Sequence, residues 1–148
     1  NGPGATAPIG LATYISEAIV RDLKDGQFTG GNRVRLRLAH VWEEVNANPG
    51  EEWNLPALAK RMHVSVRQFQ RIMKENYDVT AEGLLMRIRM EHARELLSST
   101  DMTMVMVADR IGYQCVFAFS KGFRRHFGMP PGAYRKAVNK GTIPHDVA

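Results

Sequence analysis

Residues 103–127 read TMVMVADRIGYQCVFAFSKGFRRHF, and residues 54–76 read NLPALAKRMHVSVRQFQRIMKEN. In the first stretch Thr103 is placed to cap a short helix that turns Met104, Val107, Ala108 and Ile111 inward, and Gly112 closes it. Beyond the turn, Phe119, Phe123 and Phe127 recur every fourth residue, with Ser120, Lys121, Arg124 and Arg125 on other faces. The second stretch has the same form. Asn54 caps a helix carrying Leu55, Leu58, Ala59 and Met62; Ser65 caps another whose Phe69, Ile72 and Met73 form a buried stripe. Two short helices joined by a turn of three or four residues make a helix-turn-helix. The turns Met62–Ser65 and Ile111–Gln114 lie 49 residues apart, so the chain holds a degenerate internal repeat. His63 stands where Gly is a common occupant, and His at positive φ is uncommon but allowed.

Working outward, Leu85, Ile88, Ala93, Leu96 and Leu97 predict one long helix from Thr80, as its cap, to about Ser98. Eighteen residues at 1.5 Å each make a rod of roughly 27 Å. Upstream, a helix is expected over Arg33–Asn46 with Leu38, Trp42 and Val45 on one face. Before it, Gln27–Asn32 with its paired glycines reads as a joint, and Ile9–Lys24 as a further helix ending at Asp25-Gly26. Pro131 opens a closing helix that runs through Tyr134 to about Val138. No segment shows clean period-two alternation. The expected fold is therefore all-α: two helix-turn-helix subdomains joined by a long linker helix, with an extra N-terminal helix. Residues 1–32 are expected to be a tag or linker plus that helix, a possible remnant of an effector or dimerisation domain. Residues 33–140 would be the main domain, with its units at about 54–76 and 103–127, and residues 141–148 a tail. With no starting Met, the chain is expected to be a piece of a longer protein.

The 148 residues are 44% hydrophobic and 24% charged, the composition of an ordinary soluble globular protein. One cysteine excludes an internal disulfide and a Cys-based zinc cage, and makes a reducing cytoplasm the default. No apolar run approaches the roughly 18 to 20 residues that cross a bilayer, so no membrane is expected. Charge placement is more telling than the net +5. Residues 54–140 carry 15 basic and 7 acidic side chains, and Cys115–Lys140 holds no Asp or Glu at all. Such a skew favours an anionic partner. A helix fits the major groove of duplex DNA, and a rod of this length is of the right order to serve two successive turns about 34 Å apart.

From about Arg35 to Lys136 the chain resembles the DNA-binding domain of the AraC/XylS family of bacterial transcription regulators. The first unit carries the resemblance through Leu58-Ala59, Val64-Ser65 and Phe69-Gln70-Arg71-Ile72-Met73-Lys74, and the rod through Arg89-Met90, Ala93 and Leu96-Leu97. The second unit carries it through Val107-Ala108, Ile111-Gly112-Tyr113, Phe119-Ser120-Lys121, Phe123-Arg124, Phe127-Gly128-Met129-Pro130-Pro131 and Tyr134-Arg135. Departures are Asp78 where Gly is usual, Ala81 where Pro is usual and Leu84 where an aromatic is common. A larger one is Cys115-Val116-Phe117-Ala118, where the family has polar residues. That second helix either reads thymine methyls by apolar contact or mainly grips backbone.

The resemblance implies a non-enzymatic regulator that reads promoter DNA, contacts RNA polymerase and answers a small-molecule effector through a domain missing from this chain. It puts base-facing positions at Arg67, Gln68 and Arg71, with Gln70 nearby and Arg71 foremost. Ser65, Lys74, Ser120, Arg124 and Arg125 are cast as phosphate anchors. Gln114, Val116, Phe117 and Lys121 fall at contact positions by analogy. No cofactor is expected. His40, His63, His92, His126 and His145 form no metal-ligand spacing with one another or with Cys115. Two rival readings stand beside this one: a fragment of a DNA-repair alkyl-transfer protein using Cys115, and a helical protein-interaction module with a basic face.

Overall fold

The computed structural model describes residues 30–142, and among these the secondary structure is entirely helical. The helix expected over Ile9–Lys24 lies outside the described residues. Helix α1 is Gly30–Ala47, α2 Leu55–Arg61, α3 Val66–Asn76, α4 Ala81–Ser99, α5 Met104–Arg110, α6 Val116–Phe127 and α7 Pro131–Asn139. Two compact units divide them, one holding residues 30–48 and 52–88, the other residues 49–51 and 89–142. No described helix is long and apolar enough to cross a membrane.

In the first unit, Leu38, Trp42 and Val45 of α1 are fully buried, and Val41, outside the three expected positions, is buried with them. They share a core with Leu58, Ala59 and Met62, with Phe69, Ile72 and Met73, and with Ala81, Leu84 and Ile88 of α4. The Trp42 indole donates to Met73 Sδ at 3.3 Å, and the Trp53 indole to the Asn48 carbonyl at 2.7 Å. Arg61 pairs with Glu44 and lies over the Trp53 ring, 5.0 Å from its centroid. Tyr77 is buried beside Glu43, and the lost hydration, with that carboxylate's charge second, pushes its phenol up to about 12.

The second unit is built on aromatic rings. Phe119 and Phe123 are fully buried with Val107 and Ile111; Phe123 meets Phe127 at 4.6 Å and the buried Tyr134 edge-on at 5.6 Å. Arg135 binds the end of α4 and the turn after it, donating to the carbonyls of Leu97 at 3.1 Å and Met102 at 2.6 Å. Arg89 does the same for residues 49–51, donating to Pro49 and Glu51 carbonyls at 3.1 and 3.0 Å. Its burial lowers the guanidinium's pKa, opposed by Tyr113, whose own phenol is raised by burial. In the same loop a Cβ on Gly50 would sit 2.5 Å from the Arg110 carbonyl oxygen, so only glycine permits this approach.

Two expectations are corrected. The joint expected at Gln27–Asn32 is not one from Gly30 on, where α1 already begins, residues 27–29 lying outside the described residues; helix propensity is a weak prior that tertiary packing overrides, and α1's apolar face belongs to a core. The long helix is present at Ala81–Ser99, but not all the residues whose spacing predicts it are the ones it buries. Leu85 and Leu96 are only half-buried, whereas Leu84 and Met90 are fully buried, because each half of α4 serves its own unit. Ala81, Leu84 and Ile88 repeat at helical spacing in one, Met90, Ala93 and Leu97 in the other.

Candidate nucleic-acid interface

Each unit contains one helix-turn-helix, and the two turns share a backbone. His63 has φ 58° and Gly112 φ 94°, at equivalent places. In the first turn the Val64 N–H donates to Ala59 and that of His63 to Lys60, both at 3.1 Å. In the second the Tyr113 N–H donates to Ala108 at 2.8 Å and that of Gly112 to Asp109 at 3.1 Å. Every partner in one set lies 49 residues from its counterpart in the other, so the repeat read from the sequence is a repeat of hydrogen bonds.

Beyond the turns the register changes. Helix α3 has Ser65 as its N-cap, whereas α6 has Cys115, 50 residues on, so the second turn holds one residue more. Ser65 Oγ accepts from the Gln68 N–H at 3.1 Å, and the Gln68 side chain accepts from the Ser65 N–H at 2.9 Å. This reciprocal pair satisfies two otherwise orphaned donors. The Ser-x-x-Gln spacing at Ser65 and Gln68 is the sequence signal that announces it. Cys115 makes no side-chain bond of this kind.

With α3's Phe69, Ile72 and Met73 in the core, Arg67, Gln70, Arg71 and Lys74 fall on one exposed face at spacings of three, four and seven. Ser65 and Gln68 are also exposed but hold one another at the helix start. Arg71 meets Glu75 at 3.9 Å, both side chains about two-thirds exposed, a pairing too weak to hold the guanidinium. Alongside runs an open groove of about 510 Å³, lined by Gln70, Met73, Lys74, Tyr77, Asp78, Val79, Thr80, Ala81 and Glu82, which no local spacing announces.

Helix α6 buries Phe119 and Phe123, and the residues shifted by 50 from the first face are Phe117, Ser120, Lys121 and Arg124. Phe117, Lys121 and Arg124 are exposed and Ser120 half-buried; Arg125 flanks them, exposed. Gln114 is exposed in the turn and Val116 is half-buried, so these two stand apart from that face. Cys115 is exposed with a free thiol. Among the described residues no group of three or more His, Cys, Asp or Glu is placed to hold a metal ion.

Comparison with known proteins agrees with this geometry. The family model described as a helix-turn-helix domain matches residues 58–137, more than half of the chain. The RCS-specific HTH-type transcriptional activator RclR of Escherichia coli K12 is 30% identical over 104 residues, covering 70% of this chain and 37% of that protein. The DNA-binding domain of the global transcriptional factor AdpA, solved in complex with a target DNA, superposes with a TM-score of 0.68 at 30% identity, over 71% of this chain and 95% of that one. A transcriptional regulator of Chromobacterium violaceum, described as AraC-type, gives 0.64 at 25% identity over 70% and 93%. The chain spans about two fifths of the length of the regulators it matches in sequence.

Proposed function

Since this chain belongs to the helix-turn-helix family of AraC-type regulators, we propose that it binds promoter DNA in a sequence-specific way and regulates transcription from it, α3 and α6 entering successive major grooves. The observation that carries the proposal is the repeated turn, which is followed in each unit by a helix with an exposed face bearing Arg or Lys and a buried face of aromatic and aliphatic side chains. In this reading residues 33–140 hold the DNA-binding function, and small-molecule sensing falls outside them. The 19 residues of α4 make about 28 Å of helix, of the order of one duplex turn.

On α3, Arg71 and Arg67 are the candidates for guanine O6 and N7, and Gln70 for adenine N6 and N7. Gln68, whose carbonyl oxygen already accepts from Ser65, offers its amide N–H groups only. Lys74, Lys121, Arg124, Arg125 and the two serines serve the phosphates, with Gln114 and Val116 at the edge of the second helix. The absence of any carboxylate from Cys115 to Lys140 suits that surface to the same polyanion. One relative is named as a transcriptional activator; in this reading the bound protein would contact RNA polymerase.

The deciding experiment is an anisotropy titration of a duplex selected from a random library against its scrambled control, over several salt concentrations. A preference of at least about 10³ and a steep salt slope are expected; equal affinity for both duplexes rejects the proposal. Footprinting on the same duplex is expected to protect two successive major grooves, and protection of one only rejects the two-groove reading. Arg71→Ala is expected to cost roughly 1 to 3 kcal/mol on the selected site and relax one base position, whereas Lys74→Ala lowers the salt slope by about 1 without changing preference.

A further inference from the structure

We propose that Phe117 is the specificity-determining residue of the second helix-turn-helix and that it recognises the C5 methyl group of a thymine. The inference rests on the DNA-binding reading above and adds to it the base that the second unit selects.

Phe117 is 80% exposed, the most exposed of the large hydrophobic residues on the described surface. A scattered apolar side chain at a surface is ordinary, so its exposure alone says little. Its place says more. It lies in the first turn of α6, in the position that Arg67 holds on α3 counted from the two N-caps, and shares its face with Lys121 and Arg124. A ring there stands among groups that attract phosphates.

The chemistry then narrows the target. A phenyl ring has no donor or acceptor, so it cannot pair with guanine O6 and N7, adenine N6 and N7 or cytosine N4. The one apolar feature that a base edge shows in the major groove is the thymine methyl. Neither neighbour competes for polar contact: Ala118 is small and exposed, and Val116 is half-buried and apolar. Cys115 makes no cap bond. The helix start thus offers an apolar probe followed on its own face by Lys121 and Arg124.

The test is replacement of each thymine of the selected duplex's second half-site by deoxyuridine, which removes only the methyl. For the wild-type chain one position is expected to weaken binding about fourfold, equivalent to about 0.8 kcal/mol for one buried methyl. Phe117→Ala is expected to bind the thymine and uracil duplexes equally, and Phe117→Leu to keep a preference for thymine. Because the side chain touches solvent, both variants should melt as the wild type does, which circular dichroism checks. Wild-type insensitivity at every position, or a thymine preference that survives in Phe117→Ala, overturns the assignment. Equal binding of selected and scrambled duplexes by the wild type would instead reject DNA reading itself, so the two failures are distinguishable.

Discussion

The two helix-turn-helix units start from the same turn and end with different surfaces. Helix α3 is closed at its start by the Ser65–Gln68 pair and presents Arg67, Gln70, Arg71 and Lys74. Helix α6 is uncapped by any side chain, begins one residue later in the repeat and presents Phe117 ahead of Lys121 and Arg124. A shared backbone therefore constrains what is buried, Phe69 and Met73 in one and Phe119 and Phe123 in the other, while leaving the exposed face free to change chemistry. In the proposed reading, one unit would serve hydrogen-bonded recognition and the other apolar contact and charge.

The strongest way to break that symmetry is at the turn. Gly112 has φ 94°, and a Cβ there would meet the Arg89 guanidinium at 2.9 to 3.1 Å. Gly112→Ala is expected to destabilise the second unit by roughly 3 kcal/mol, combining backbone strain with displacement of the arginine that holds residues 49–51. Thermal melting followed by circular dichroism checks it; an unchanged melting temperature would mean that the turn tolerates a side chain as the first turn tolerates His63. His63→Gly, in contrast, should alter stability little, since relief at φ 58° is offset by the greater freedom of glycine in the unfolded chain.

A difference of about 2 kcal/mol is expected from Tyr77, buried in the first unit. Its phenol is raised from 10.0 to about 12 by burial, with Glu43 adding to the effect. Between those values the unfolded chain loses a proton that the folded chain keeps. The stabilisation from the neutral phenol is therefore complete below pH 10 and falls as pH rises toward 12. Tyr77→Phe is expected to flatten the alkaline loss of stability measured by urea denaturation from pH 9 to 12. An equally steep loss in the variant would assign it elsewhere.

Much of this arrangement was legible because caps and apolar periodicity are local. Asn54, Ser65, Thr80 and Thr103 each accept from the N–H three residues on, as their positions announced. The buried faces of α2, α3, α5 and α6 followed from three- and four-residue spacing. What escaped depends on distant partners. The change of stripe between Ile88 and Met90 reflects two cores meeting one helix, which no single period describes. The extra residue before Cys115 escaped because the turns themselves stay in register at 49. On the exposed faces of α3 and α6 the basic and polar residue types stand in the sequence, whereas the engagement of Gln68 with Ser65 and the extent of Phe117's exposure required the fold.

The smallest expected effect sharpens the comparison most directly, because it asks whether one side chain accounts for the difference between the two helix starts. Both N-caps are extended, Ser65 at φ −74° and ψ 161° and Cys115 at φ −130° and ψ 123°. A hydroxyl at 115 could therefore reach the first-turn amides that the thiol leaves without a cap bond. Ser65→Ala is expected to cost about 1 kcal/mol, and Cys115→Ser to gain about half of that. Amide hydrogen exchange locates the change: the Gln68 N–H should lose protection in the first variant, and the Ala118 N–H, its counterpart, should gain it in the second. Loss at Gln68 without gain at Ala118 would place the difference in the backbone of the longer turn, which then holds the start of α6 in a geometry that no capping side chain can close.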